Sequence, residues 1–207
     1  PDLAVILSTS GSTGSTKLVR LSGANLQANA SSIAEYLGLG ASDRAVTTLH
    51  PSYSFGLSIL NSHLCAGASI VLTEWSVRDD AFKALIARQG VTSLSGVPYS
   101  FELMERSGLL AALPPSVKTL TQAGGRMAPE RVKRVAAEAA KNGARLFVMY
   151  GQTEATARIA YLPPEHLRAH PDCIGRAIPG GRLWIETSPG VTAAPEEEGE
   201  LIYQGPN

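Results

Sequence analysis

Three observations predict an α/β fold with a mostly parallel sheet and helices on both faces. Short apolar runs recur along the first 150 positions. Stretches with apolar residues at helical spacing separate them. Gly and Pro, 20 and 13 of 207 residues, stand at the junctions, where helix starts and C-caps call for them. Alternation of this kind builds parallel sheets through crossover connections.

Leu3 to Leu7 is the first β-type run. After a polar loop, Ser22 can cap a helix that places Leu26, Ala30, Ile33 and Leu37 on one face and ends at Gly38 and Gly40. Arg44 to Leu49 reads as a strand, Phe55 to Leu64 as a buried helix, and Ser69 to Thr73 as a strand. An amphipathic helix over Val77 to Gln89 is closed by Gly90. Val91 to Leu94 and Val117 to Thr121 read as strands, with a helix opened by Pro98 between them. A helix from Pro129 to about Asn142, with Gly143 at its C-cap, leads to the strand Arg145 to Met149. Beyond Tyr150 the texture changes. Pro163, Pro164 and Pro171 break the chain, and two short strands, Arg182 to Thr187 and Glu200 to Gln204, have the spacing of antiparallel structure. A subdomain boundary is placed near Cys173, giving units 1–172 and 173–207.

Composition excludes several classes of function. Hydrophobic residues make up 44%, enough for a sizeable core and against disorder. Lys plus Arg number 18 and Asp plus Glu 18, so a strong general attraction to nucleic acid or an anionic membrane is ruled out, though not a local basic site. No apolar run approaches the ~20 residues of a membrane span. The two cysteines, Cys65 and Cys173, form no disulfide framework, which fits a reducing, cytoplasmic location. The chain opens almost inside a strand and closes on Gly205-Pro-Asn207, and a fragment of a longer protein is expected.

Four loops carry the chemistry. Ser8-Thr-Ser-Gly-Ser-Thr-Gly-Ser-Thr-Lys17 brings Thr9, Ser10, Gly11, Ser12, Thr13, Gly14 and Lys17 together after a strand. Two glycines let the backbone expose N–H groups, and the hydroxyls and one ammonium can converge on a polyphosphate. The loop lacks the Gly-Lys-Ser/Thr ending of a Walker A motif and the Rossmann glycine pattern. No serine-hydrolase elbow occurs either. Tyr150-Gly-Gln-Thr-Glu154 follows a strand, where open parallel sheets bind ligands. Its Tyr150 can stack on a base, Thr153 can donate to phosphate and Glu154 can hold Mg²⁺; the motif alone reads equally as a solvent-facing turn. In Gln122-Ala-Gly-Gly-Arg-Met127, adjacent glycines let a flat ligand lie against the backbone, or simply make a turn. In His50-Pro-Ser-Tyr-Ser-Phe-Gly56, Tyr53 and Phe55 can shape an organic pocket or pack in the core. His166 and His170 are four apart and could share a helical face, but with Pro171 breaking the chain beside them a metal site is not expected.

These loops, in this order and each after a strand, resemble the adenylate-forming superfamily: acyl-CoA synthetases, fatty acyl-AMP ligases, peptide-synthetase adenylation domains and luciferases. Thr9 to Gly14 and Lys17 match the family's phosphate loop, while Thr16 replaces its Pro and Leu18 its Gly. Tyr150-Gly-Gln-Thr-Glu154 matches Tyr-Gly-x-Thr-Glu, and Gly124-Gly125 the adenine-side glycines. Ile174-Gly-Arg-Ala-Ile-Pro-Gly180 resembles the entry to the family's small β-barrel, so the last strands are expected to be the first antiparallel strands of that subdomain. The likeness spans the chain. The family's earlier N-terminal region, ribose-binding Asp and C-terminal lid domain with its catalytic Lys have no counterpart here.

The resemblance implies activation of a carboxylic acid by ATP and Mg²⁺, with pyrophosphate released and the acyl group passed to coenzyme A or to the phosphopantetheine of an acyl-carrier protein. It casts Lys17, Thr153 and Glu154 as catalytic, with Glu154 on the metal. Thr9 to Gly14, Gly124, Gly125, Arg126, Tyr150, Gly151 and Gln152 would hold nucleotide, and Tyr53, Phe55 and Gly56 the acid. With no Asp in the Tyr53 segment to meet an ammonium group, an uncharged acyl or aryl acid is favoured over an amino acid, in the setting of fatty acid metabolism. The rival readings are an ADP-forming phosphotransferase or ATPase and a non-catalytic nucleotide-binding module; the 207 residues alone are expected to be inactive.

Overall fold

The computed structural model describes residues 2–10 and 16–207. It opens with an antiparallel hairpin, β1 (Leu3–Ser10) and β2 (Thr16–Ser22). The sequence reading passes from the hydroxyl-rich loop to a helix; here β2 comes first. The reason is a period-two pattern. Val19 and Leu21 turn inward opposite Leu7 and Val5, whereas Leu18 faces out, 69% exposed. The helix α1 (Gly23–Leu37) then starts where Ser22 caps it. The Asn25 amide donates to Ser22 Oγ at 3.1 Å and the Ser22 amide to Asn25 Oδ1 at 3.0 Å, a reciprocal box. Gly38, at φ 68°, ends the helix in the left-handed region.

The remaining elements follow in the expected alternation: β3 (Arg44–Val46), α2 (Ser54–Cys65), β4 (Ser69–Val71), α3 (Asp80–Arg88), β5 (Ser93–Gly96), α4 (Pro98–Arg106), β6 (Thr119–Gln122), α5 (Pro129–Lys141) and β7 (Arg145–Tyr150). The helix expected from Val77 begins three residues later, at Asp80. There the Ser76 amide donates to Asp79 Oδ2 at 2.8 Å and holds Ser76–Asp79 as a turn. Helix α5 ends at Lys141, and Gly143 follows at φ 71° just past its cap.

Strands β3 to β7 lie in a seven-stranded sheet, completed by two short strands the sequence reading lacks, β8 (Ala160–Leu162) and β9 (Arg176–Ala177). The order is β4-β3-β5-β6-β7-β8-β9; the first five strands run parallel and the last two antiparallel. Side chains alternate across β7. Leu146 and Val148 join Phe82, Phe101 and Val132 of α3, α4 and α5 on one face, and Phe147 and Met149 join Ile33, Phe55 and Ile59 of α1 and α2 on the other. Helices therefore cover both faces. A separate three-stranded antiparallel sheet holds β10 (Arg182–Ser188), β11 (Val191–Thr192) and β12 (Glu200–Gln204).

Candidate functional site

Parallel strands all present their carboxyl ends to the same side, and the loops that follow them meet there. Leaving β6, the chain turns through Gly124 at φ 74°, and Gln122 Nε2 donates to the Gly125 carbonyl at 2.8 Å to set the bend. A Cβ on Gly124 would lie 2.5 Å from the Tyr53 hydroxyl, so that phenol rests directly on the glycine. Leaving β7, Tyr150 and Gly151 share a cavity of about 430 Å³ with Gly124, Gly125 and Arg126, within the size range of small-molecule sites. Its far wall is Pro171 to Ile174. Tyr150, 39% exposed, also borders a second cleft of about 570 Å³ that holds Gln152 and Glu154 and is backed by Tyr203 and Asn207. A wider cleft of about 810 Å³, between His50 and Trp75, contains none of the Gly124, Tyr150 or Glu154 groups.

The turn after β7 is held from several sides. Gln152 O accepts the amides of Ala155 and Ala157 at 3.1 Å each, and Tyr150 O accepts Ile159 N at 2.9 Å. Asn207 Nδ2 donates to the carbonyls of Ala155 (2.6 Å) and Arg158 (2.8 Å). Thr156 and Ala157 sit at φ 51° and 88°, a left-handed conformation that side chains adopt at a cost of order 1–3 kcal/mol and that gathers at functional sites. Thr153 Oγ1 donates to Ser54 Oγ at 3.2 Å, tying the turn to the start of α2. Strand β2, which carries Lys17, packs beside the Thr153–Ala155 turn.

The structure thus gathers Tyr53, Gly124, Gly125, Arg126, Tyr150, Gly151, Gln152, Thr153 and Glu154 on one side of the sheet, with Thr9 and Lys17 paired in the adjoining hairpin. Gly11, Ser12, Thr13 and Gly14 lie outside the described residues, and Ser10 is placed by its backbone at the end of β1. Phe55 is only 2% exposed and packs within the core beneath the site. Gly56 serves close approach: a Cβ there would meet the His50 carbonyl oxygen at 2.3 Å. Sequence reading missed Ser54, the Pro171–Ile174 wall, the Asn207 clamp and the buried Arg158. Only Asn207 carried a signal, in the Gly-Pro-Asn ending.

Glu154 and Lys17 are exposed, and among the described residues neither has an ion-pair partner. Among the same residues no group of three or more metal-ligating side chains gathers. Magnesium carried by a polyphosphate needs only one or two carboxylates, with phosphate and water completing its shell. Glu154 beside the Thr153 hydroxyl fits such an ion. No helix among the described residues is long and apolar enough to cross a membrane.

A family model for AMP-binding enzymes matches residues 1–207. The chain belongs to the AMP-binding enzyme family. Indoleacetate–CoA ligase of Aromatoleum aromaticum is 33% identical over 205 residues, 98% of this chain and 39% of that protein. A 2-succinylbenzoate–CoA ligase of Bacillus cereus is 32% identical over 203 residues, 98% of this chain and 41% of the relative. The structure of o-succinylbenzoate coenzyme A synthetase from Bacillus subtilis, in complex with ATP and magnesium ion, superposes with a TM-score of 0.83 at 30% identity, covering 98% of this chain and 41% of that one. The chain therefore spans about two fifths of the length of the curated relatives it matches.

Proposed function

We propose that the full-length protein carrying this chain is an AMP-forming acid–CoA ligase, and that the boundary expected near Cys173 falls just after β9, which pairs in the seven-stranded sheet, so that the strands from Arg182 onward belong to the β-barrel unit of its N-terminal domain. The observation that supports this most is the convergence of the Gly124–Arg126 and Tyr150–Glu154 turns on one cavity, with the Lys17 strand beside the Thr153 turn. The names of the relatives, both CoA ligases, support coenzyme A as acceptor ahead of a carrier-protein phosphopantetheine. Their acids, indoleacetate and 2-succinylbenzoate, support an aryl-bearing acid ahead of a fatty acid. Free Cys65 and Cys173 support a cytoplasmic setting.

In this reading the carboxylate oxygen of the acid attacks the α-phosphorus of ATP, and the bond to the bridging oxygen breaks to release pyrophosphate. The thiol of coenzyme A then attacks the acyl carbon and AMP leaves. Two anions must meet in the first step, so catalysis is positioning and charge neutralisation. Adenine lies against Gly124–Gly125 with Tyr150 at its face. The Thr9–Gly14 hydroxyls and amides with the Lys17 ammonium hold the departing phosphates. Thr153 donates to the α-phosphate, and Glu154 holds magnesium, which supplies charge neutralisation there. Gly151 and Gln152 set the turn, Arg126 borders the base, and Tyr53 flanks the acid over Phe55 and Gly56.

Product analysis tests the reading. Incubation with ATP, magnesium, coenzyme A and arylacetic or arylbutanoic acids gives AMP and pyrophosphate in amounts that follow the acid. Acid-independent ADP and phosphate would assign the site to a phosphotransferase or ATPase.

A further inference from the structure

Arg158 is the largest fully buried side chain among the described residues, 2% exposed. Its guanidinium lies over the Phe55 ring, 4.0 Å from the centroid. Nε donates to Met149 Sδ at 3.4 Å, Nη1 reaches the Ala157 carbonyl at 3.4 Å, and the Tyr36 phenol stands beside it. The described residues include every Asp and Glu of the chain, and none pairs with Arg158. Burial pulls the Arg158 pKa down and pushes the Tyr36 phenol up to about 12. A guanidinium stays charged in proteins, so this is a buried cation without an anion.

Packing does not require it. The Arg158 backbone carbonyl accepts from Asn29 and Asn207 whatever the side chain, and an apolar residue of that length would fill the space without desolvating a charge. The surroundings are also polar. Arg158 closes a cavity of about 10 Å³ against Ile59, Ser62, His63, Ser95 and Thr121, room for about one water. A parallel sheet buried on both faces is ordinarily apolar. Here Ser93 bonds His63 Nε2 at 2.8 Å and Ser95 bonds Thr121 at 2.7 Å on the face that α1 and α2 cover. Tyr53 touches Gly124 at the mouth of the site, and its ring lies 6.4 Å from the Phe55 ring that Arg158 covers.

We propose that Arg158 is a specificity-determining residue that receives a second carboxylate, at the far end of the acid substrate, so that the enzyme activates dicarboxylic acids in preference to monocarboxylic ones. This rests on the acid-activation reading and replaces the uncharged acid expected from the Tyr53 segment. The cavity beside Arg158 has room for about one water, so receiving a second carboxylate there requires the guanidinium to move off Phe55. Removing it leaves that carboxylate desolvated and unpaired, an effect on the order of 100-fold in kcat/KM.

The test is acid-dependent ATP–pyrophosphate exchange by the full-length protein with two matched pairs: pentanoate against pentanedioate, and phenylacetate against 2-carboxyphenylacetate. The wild type favours the dicarboxylic member of at least one pair. Arg158→Met lowers that preference on the order of 100-fold, with the KM for ATP little changed. A wild type indifferent to the second carboxylate overturns the proposal. So does an Arg158→Met variant that loses activity equally on both members, the outcome of a purely structural role. Where Arg158→Met does not fold, Arg158→Lys carries the test: loss of the planar fork lowers the preference, and an unchanged preference overturns it. Exchange with no acid at all contradicts the acid-activation reading itself, a result separable from exchange that ignores the second carboxylate.

Discussion

Replacing Gly151 by Ala puts one methyl group where the turn after β7 folds back on itself. The new carbon would lie 2.0 Å from the Ala157 carbonyl oxygen, 2.7 Å from its carbon and 2.9 Å from Arg158 Cα, all backbone atoms. Ordinary contact begins at 3.4 Å, so the turn must give by more than 1 Å. It has little freedom to do so, since Asn207, Gln152 and Tyr150 hold it through five hydrogen bonds and two residues already occupy the left-handed region. Overpacking of this kind destabilises by about 1–3 kcal/mol. The displaced atoms include Thr153 and Glu154, and a misplacement of about 1 Å costs on the order of 100-fold in rate. The assay is kcat and the KM for ATP in pyrophosphate exchange, alongside thermal unfolding. Gly40→Ala is the control, because a Cβ there meets nothing within 4 Å. We predict a loss of about 100-fold in kcat with a lower melting temperature for Gly151→Ala, and neither effect for Gly40→Ala. Wild-type kcat in Gly151→Ala would show that the turn does not hold the reacting groups.

Three further outcomes are expected. Glu154→Gln, at an exposed position with no ion-pair partner among the described residues, lowers kcat about 100-fold and raises the magnesium needed for half-maximal rate, with the melting temperature unchanged; an unaltered magnesium dependence would contradict Glu154 as its ligand. Asn207→Ala leaves the Ala155 and Arg158 carbonyls short of a donor, destabilising by about 1–3 kcal/mol in urea unfolding; an unchanged midpoint would contradict the clamp. Burial holds His63 below its ordinary pKa of 6.5, so below that pH the unfolded chain takes up a proton that the folded chain resists. Stability therefore falls with pH from 6.5 downward to the folded value, by no more than about 1.4 kcal/mol per pH unit, and His63→Gln flattens that slope. Equal slopes in urea midpoints would contradict a neutral buried His63.

The parts of the fold written in local chemistry were legible before the structure. Ser22 announces α1 because a hydroxyl can satisfy a free amide three residues on, and Gly38 announces its end. The turns at Gly124 and Tyr150 were legible as candidate ligand turns, each with an ordinary-turn reading beside it, because glycines, hydroxyls and a carboxylate follow apolar strands. What depends on distant partners was not. Strand β2 looks like an extension of a polar loop until Val19 and Leu21 find Leu7 and Val5. Strands β8 and β9, three and two residues long, carry too little pattern to register. Phe55 reads either as a pocket wall or as core packing, and it is core, 2% exposed with Arg158 on top of it. Arg158 carried no signal, because nothing in Ala155-Thr-Ala-Arg-Ile159 reveals that residues of α1 and α2 close over it. The Pro171–Ile174 wall reaches the cavity only by the chain's return past Tyr150.

We propose that these converging turns hold ATP for attack on its α-phosphorus. Isotopic exchange between pyrophosphate and ATP in the full-length protein tests it most directly, because only reversible adenylate formation moves label from pyrophosphate into ATP without coenzyme A. We predict exchange that requires both magnesium and an acid and falls about 100-fold in Glu154→Gln. Label that stays in pyrophosphate with every acid, while ATP is turned over to ADP, would contradict it.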